Sequence, residues 1–309
     1  MADCARIAWA SGTCLIACAL SLPTGVRAEE PAPTTRPALL WLAEDPESVY
    51  APPSPPRENE GVNEGGVNAE LEVRYLTDHV YRGLDYSEVG GTEDSANLQF
   101  DGRLSFNLGK LPHPFIGLFV NVYDLDPVSQ FQEIRPVFGA DWTIKPFVLS
   151  AGNTTYIYPE REDLNTSEVW GRIAFDDSFL WGTEKPILSP YVLGAYDYDV
   201  NDGWYLEAGV RHDVEIEDLG ILLSFIGRVN YVRGMQQQFV FATPDDDDTG
   251  FQAAEVGLVG KYSLNTLFNV SRRYGEWSLN GYLFYTDQLD QDLPATDQLW
   301  GGVGIGFRY

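Results

Sequence analysis

The sequence has few of the residues on which disulfides, metal centres and nucleophilic enzymes depend. It contains three cysteines (Cys4, Cys14 and Cys18), three histidines and two methionines. Because all three cysteines lie in the N-terminal leader described below, its removal would exclude disulfides, thiolate-bound zinc and thiol catalysis. After the leader, no apolar run is long enough for a membrane-spanning helix, so only a closed barrel would let this chain cross a bilayer.

Basic residues are also scarce. The chain has 20 Lys and Arg against 46 Asp and Glu, a net charge of −26. Loss of a leader over 1–28 leaves 18 basic and 45 acidic residues, a net charge of −27. Such a chain repels nucleic acid, which we do not expect among its partners. Strong acidity also occurs in disordered chains, but an aromatic content of 13% argues against disorder for most of this one.

The N-terminus has the three parts of a secretory signal peptide. Arg6 supplies a positive charge, Ile7 to Leu22 form an apolar run, and Val26-Arg27-Ala28 matches a small-x-small cleavage site. We therefore predict a signal peptide over 1–28, cleaved after Ala28. An alternative lipobox, Leu15-Ile16-Ala17-Cys18, would leave a lipidated Cys18. The apolar run continues beyond Cys18, which favours cleavage after Ala28.

Residues 29–68 are predicted to form a disordered, Pro-rich acidic linker in the periplasm. Proline recurs between Pro31 and Pro56, and the acidic, Gly-bearing stretch Glu58 to Gly66 follows. Within the linker, Ala38 to Ala43 (ALLWLA) is interpreted as a loose apolar patch. The alternative is a short helix that plugs a barrel lumen.

From residue 69 to the C-terminus, apolar and polar residues alternate as they do in strands with two different faces. In the clearest case Leu98, Phe100 and Leu104 share one parity, and Asp101 and Arg103 hold the other. About 12 strands are predicted, within a range of 10 to 14. The predicted strands are 69–86, 98–108, 114–126, 134–144, 146–158, 166–176, 186–199, 202–214, 218–233, 250–263, 275–287 and 298–309. The segment 263–275 is left open between a further strand and a short helix.

A soluble β-sandwich would also alternate, but three features favour a transmembrane barrel. Many predicted strands have ten or more residues, whereas strands of soluble domains usually have about five or six. Short turns tend to alternate with long loops, as in outer-membrane barrels, although 177–187 is an exception. Aromatic residues near strand ends would form two interfacial girdles. The predicted girdle residues are Tyr75, Tyr81, Tyr123, Trp142, Tyr158, Trp170, Trp204, Tyr231, Tyr262, Tyr285 and Trp300.

The last strand carries the most specific feature. Val303, Ile305, Phe307 and Tyr309 share one face, and the chain stops on an aromatic residue. Such an ending resembles the signal read by the outer-membrane assembly machinery. The predicted fold is therefore all-β, a closed antiparallel transmembrane barrel over 69–309 in the outer membrane. Its expected partners are outer-membrane lipid, the assembly machinery and small solutes.

Three short motifs resemble the TorF-like family of outer-membrane porins. Thr77 to Asp85 (TDHVYRGLD) is similar to the family's opening motif, Tyr156-Ile157-Tyr158-Pro159 to its Tyr-x-Tyr-Pro strand end, and Ser167 to Trp170 to its Glu-x-Tyr strand. The resemblance covers about 70–175, with Thr77 in place of Ser, His79 in place of an aromatic residue and Trp170 in place of Tyr. It implies a porin fold and says little about the solute.

If the apolar parity faces lipid, the polar parity faces the lumen. The predicted lumen-lining residues are Arg82, Asp101, Arg103, Glu133, Arg135, Asp141, Glu168, Arg172, Glu207, Arg211 and Arg228. Two interpretations stay open for them. Free arginines would form a constriction that selects solutes by charge, whereas Arg–carboxylate pairs would brace the wall.

These features predict a porin-like channel for passive diffusion of small solutes or ions. The alternative is a closed structural or adhesive barrel that acts through acidic outer loops. The run Asp245 to Asp248 is interpreted as a solvated loop rather than a Ca²⁺ site, because it lacks the spacing of an EF-hand. An enzyme is not expected: His212-Asp213 is the one base–acid pair, and adjacent strand residues point to opposite faces. No cofactor is predicted.

Overall fold

The computed structural model of the chain describes residues 66–87, 96–123, 132–234 and 249–309. The predicted leader, the linker up to residue 65 with Ala38 to Ala43, and the run Asp245 to Asp248 lie outside these residues. The described residues include 14 strands. In chain order these are β1 (Val67–Leu76), β2 (Val80–Tyr81), β3 (Leu84–Asp85), β4 (Asn97–Phe106), β5 (His113–Tyr123), β6 (Glu133–Ile144), β7 (Phe147–Tyr156), β8 (Thr166–Phe175), β9 (Tyr191–Asp197), β10 (Gly203–Ile216), β11 (Ile221–Arg233), β12 (Thr249–Ser263), β13 (Glu276–Gln288) and β14 (Gln298–Arg308).

Twelve of these strands form one closed antiparallel barrel, which confirms the predicted fold. β2 and β3 form a separate two-stranded sheet. The barrel closes where β1 pairs with β14, with Glu70 opposite Arg308 and Leu76 opposite Gly302. Two hydrogen bonds between the backbones of Ala69 and Tyr309 (2.7 and 2.8 Å) extend this pairing to the last residue. Closure leaves no unpaired sheet edge.

The barrel has an apolar outer face and a polar inner face. On β4, Leu98 and Phe100 are 37% and 42% exposed, whereas Asn97 and Gln99 between them are 1% exposed. A soluble sandwich would bury the apolar set instead. The same outward exposure recurs on the other strands. Examples are Leu71, Ile116, Phe138, Val169, Val192, Phe225, Val256, Leu283 and Val303.

The connections lie on two rims. The rim where β1 begins and β14 ends carries the tight turns 145–146 and 217–220, but also the longer connections 176–190 and 264–275. These two contain α1 (Ser178–Trp181) and α2 (Leu264–Phe268), and 3₁₀ turns occur at Glu162–Leu164, Glu217–Leu219 and Arg272–Tyr274. The helical alternative for 263–275 is thus the one observed. Among the described residues, no helix is long and apolar enough to cross a membrane.

Asp177 fixes the connection between β8 and β9. Its carboxylate accepts hydrogen bonds from Nε1 of Trp181 (2.8 Å) and from the backbone N–H groups of Ile187 (2.9 Å), Leu188 (3.0 Å) and Ser189 (3.3 Å). Burial raises the pKa of this carboxyl, but the hydrogen bonds outweigh burial and hold its pKa below the usual range. One side chain therefore orders a connection that has little regular structure.

The predicted first strand, 69–86, is wrong in its second half. The barrel strand β1 ends at Leu76, and the chain then turns into the barrel. The turn occurs at Arg82 and Gly83, both of which have positive φ (53° and 80°). A strand cannot continue through two residues in the left-handed region, and glycine supports that conformation at little cost.

Candidate functional site

The predicted lumen residues are all buried or half-buried, unlike the outward apolar residues of the strands. Ten of them lie on barrel strands, and Arg82 lies on the inward hairpin. The buried members of the set are Arg82, Glu133, Arg135, Asp141, Glu168 and Arg172, and the half-buried members are Asp101, Arg103, Glu207, Arg211 and Arg228.

Most of the inward arginines are held in ion pairs. Arg135 pairs with Glu133 on its own strand. Asp101 pairs with Arg74 of β1 (3.3 Å), and Arg103 pairs with Asp141 across β5. The remaining inward pairs are Arg82–Glu168, Arg211–Asp213, Arg228–Glu255 and Arg308–Glu276.

Residues 77–87, here called the lumen hairpin, fold into the barrel and carry the first of the family-like motifs. β2 and β3 pair within it, Val80 opposite Asp85 and Tyr81 opposite Leu84. The tip approaches the barrel wall so closely that a Cβ at Gly83 would lie 2.6 Å from Cβ of Ala253 on β12. The hairpin therefore extends into the lumen.

An ion pair anchors the tip of the lumen hairpin to β8. One guanidinium nitrogen of Arg82 lies 3.0 Å from each carboxylate oxygen of Glu168, and both side chains are buried. The hydroxyl of Tyr156 donates to the same carboxylate (2.7 Å) and lies 2.7 Å from the hydroxyl of Tyr81. The guanidinium also stacks 4.0 Å over the ring of Tyr205. Arg82 and Glu168 are thus joined, and the first and third family-like motifs meet here.

His79 contacts the wall at the base of the lumen hairpin. Its Nδ1 lies 2.8 Å from the hydroxyl of Tyr123, and its Nε2 lies 3.4 Å from Nη2 of Arg135. Because arginine can only donate, Nε2 must accept, and Nδ1 carries the proton of a neutral ring. Burial first, and then the charges of Arg135 and Arg74, hold the pKa of His79 well below its usual range.

Inward aromatic rings lie against glycines of neighbouring strands. A Cβ at Gly139 would lie 2.7 Å from Cζ of Phe115, and a Cβ at Gly152 would lie 2.7 Å from Cζ2 of Trp170. The absence of side chains at these glycines gives the rings room against the wall. Large side chains are thus accommodated without projecting straight to the barrel axis.

Five of the predicted girdle residues are inside the barrel, so that part of the girdle prediction is wrong. Tyr81, Tyr123, Tyr158, Trp170 and Trp300 are between 2% and 7% exposed. Tyr123, Trp170 and Trp300 lie on barrel strands, at positions that face inward. A position near the end of a strand does not by itself show which face of the sheet a side chain is on. Trp170 and Trp300 join two inner apolar clusters, and Tyr81, Tyr123 and Tyr158 form a separate tyrosine cluster with Tyr86 and Tyr156. The larger apolar cluster consists of Phe115, Phe119, Val137, Trp170, Leu193, Ala195, Tyr205, Val232 and Leu293, and the other of Leu76, Val80, Ile226, Val259, Tyr282, Phe284 and Trp300.

A vestibule opens at the rim where β1 begins and β14 ends. It is a cavity of about 130 Å³ with charges of both signs on its wall. Its lining includes Glu72, Asp101, Arg103, Lys261, Asn280 and Arg308 beside apolar side chains such as Phe115 and Phe119. The vestibule therefore gives an approach to the interior of the barrel that is lined by both charged and apolar side chains.

Sequence reasoning missed the lumen hairpin and its contacts with Tyr156 and Tyr205. The available signal was Arg82-Gly83, a turn-prone pair inside a predicted strand that is longer than its neighbours. The pair His212-Asp213 does not assemble. His212 Nδ1 lies 2.8 Å from the carbonyl oxygen of Ile187, and Asp213 accepts from Arg211 (2.7 Å). Within the described ranges, no three potential metal ligands lie together.

No family model matches the chain, and no curated protein matches it. Solved structures with a similar fold include a KdgM porin, with TM-score 0.44, 8% identity, and coverage of 77% of this chain and 98% of that one. A NanC porin has TM-score 0.46 and 9% identity over 77% and 98% of the two chains. An outer membrane channel from Pseudomonas putida F1 has TM-score 0.43 and 10% identity over 83% and 100%. Likeness at this level concerns barrel architecture alone, and the TorF-like resemblance stays a prediction.

Proposed function

We propose that the chain is an outer-membrane porin that lets small solutes or ions diffuse passively through a charge-mixed lumen. The observation that carries the proposal is the inversion of the barrel, with apolar side chains outside and arginine–carboxylate pairs inside. Charges are costly in lipid and tolerable in a wet lumen. The number of inward charges therefore supports a polar, water-filled interior.

In this proposal the lumen hairpin narrows the channel. Its tip is held by the Arg82–Glu168 pair and by a hydrogen bond from the backbone N–H of Thr296 to the carbonyl of Gly83 (2.8 Å). Solutes that enter from the vestibule meet this segment before they leave the barrel. The predicted lumen residues then act mainly as a braced wall around it.

The proposal includes the route of the chain to the membrane. The leader is cleaved after Ala28, the linker that precedes β1 stays in the periplasm, and the assembly machinery reads the strand that ends at Tyr309. The pairing of that strand with β1 supports this role, because the barrel closes only when the last strand is in place.

A second candidate is a closed barrel that acts through its acidic outer loops. The two inner apolar clusters favour it, because they fill part of the interior with side chains. Conduction distinguishes the two candidates directly.

The test is single-channel recording of the full chain, expressed with its own leader, purified from outer membranes and inserted into a planar bilayer under a KCl gradient. Discrete conductance steps with a definite reversal potential are expected. Silence from protein that still shows a heat-dependent gel shift would favour the closed barrel.

The variant Glu168→Gln tests the hairpin as the narrow point. It leaves Arg82 buried without its charged partner, a change that costs about 3–5 kcal/mol in other buried pairs. We expect the hairpin to leave the lumen and the conductance to rise. Glu162→Gln, in the exposed 3₁₀ turn after β7, is the matched control. Equal conductance in the two variants would contradict this role of the hairpin.

A further inference from the structure

Arg172 is an inward arginine on β8 with an unusual environment. It is 7% exposed and lies opposite Ser150 of β7 and Leu193 of β9 in the strand register. Its guanidinium carbon lies 4.2 Å from the centre of the Tyr191 ring. The side chain is therefore inside the barrel and stacked along its wall.

Within the described part of the chain, Arg172 has neither an ion pair nor a hydrogen bond, and its Nη1 is buried without an acceptor. The other inward arginines of the described strands and the lumen hairpin all have a carboxylate partner. These are Arg74, Arg82, Arg103, Arg135, Arg211, Arg228 and Arg308. Arg172 thus differs from every inward arginine with which it can be compared.

The nearby carboxylates are engaged elsewhere. Glu207 accepts hydrogen bonds from the hydroxyls of Tyr191 and Tyr205, both at 2.6 Å. Asp141 is paired with Arg103 through Oδ2. Ser150 lies between Asp141 and Arg172 in the strand register, opposite Asp141 of β6 on one side and opposite Arg172 of β8 on the other. The guanidinium of Arg172 therefore keeps an unused charged donor beside a hydroxyl.

We propose that Arg172, with Ser150 beside it, is a docking site for a small monovalent anion such as chloride or a carboxylate. A buried guanidinium without a carboxylate in direct contact is costly, and an anion would supply that contact. Stacking on Tyr191 leaves the N–H edge of the guanidinium available for charge-assisted hydrogen bonds. The proposal rests on the porin function only for how the anion reaches the site.

The direct test is ³⁵Cl NMR line broadening with the folded full chain in detergent. Arg172→Gln is expected to lower the excess chloride linewidth by about tenfold, the effect of losing a charge-assisted hydrogen bond. Arg172→Lys should restore part of it. Arg161→Gln is the matched control, because Arg161 lies in an outer connection and pairs with Asp163 (3.0 Å). It should match the wild type.

Bilayer recordings supply the second readout. In a KCl gradient, Arg172→Gln should shift the reversal potential towards cation preference, and Arg161→Gln should not. A non-conducting wild type whose linewidth still depends on Arg172 would refute the porin and keep the anion site. Equal linewidths for Arg172→Gln and Arg161→Gln would overturn the anion site, whether or not the barrel conducts.

Discussion

Acidification should release the lumen hairpin through His79. The ring is neutral in the folded barrel, with Nε2 accepting from Arg135 and Nδ1 donating to Tyr123. Protonation would turn Nε2 into a donor that faces another donor. At an effective dielectric constant of about 20, two unit charges 3.4 Å apart repel by about 5 kcal/mol. The negative charge of Glu133, which is paired with Arg135, reduces this repulsion.

Proton linkage sets an upper limit on how far this repulsion can shift the equilibrium between the inserted and the released hairpin. The pKa of His79 is lowered in the folded barrel. The neutral ring therefore stabilises the inserted hairpin fully above the ordinary pKa of about 6.5, and this stabilisation is lost as the pH falls below that value. Each pH unit contributes at most about 1.4 kcal/mol. At pH 4.5 the equilibrium between inserted and released hairpin should therefore shift by up to about 100-fold.

The assay compares the wild type with His79→Gln at each pH. Glutamine keeps an acceptor near the position of Nε2 but does not titrate. Hydrogen–deuterium exchange of the peptide that covers 77–87 should rise in the wild type relative to His79→Gln between pH 6.5 and 4.5. Because Glu168 and the other carboxylates are present in both proteins, their titration cancels. The same exchange in the two proteins at all pH values would refute the role given to His79.

Two further predictions concern stability. In a urea titration, Gly152→Ala should destabilise the barrel by about 1–3 kcal/mol, because the new methyl group overlaps the ring of Trp170. Gly281→Ala is the control and should be nearly neutral, because a Cβ at that position meets nothing within 4 Å. Asp177→Asn should cost about 1–3 kcal/mol, since it weakens the hydrogen bonds that hold the β8–β9 connection, and proteolysis of that connection should increase. Because the pKa of Asp177 is lowered, the wild-type connection should itself loosen as the pH falls below about 4. If neither Asp177→Asn nor low pH increases proteolysis of the connection, this account is contradicted.

Strand parity was readable from the sequence because it is a local property. Leu98, Phe100 and Leu104 alternate with polar residues over a few positions, and that period places them on one face whatever the rest of the chain does. Repeated over the chain, the period predicts about twelve strands. This expectation agrees with the barrel observed.

The sequence alone therefore indicates an all-antiparallel barrel with an apolar outer face. The tertiary structure settles which charges meet, because Arg82 and Glu168 are 86 positions apart and their contact depends on where the hairpin turns. It also decided that Trp170 and Trp300 are inside rather than in a girdle, and that Arg172 alone among the described inward arginines has no carboxylate. These facts depend on closure, which brings distant strands around one lumen, and no local pattern encodes that distance.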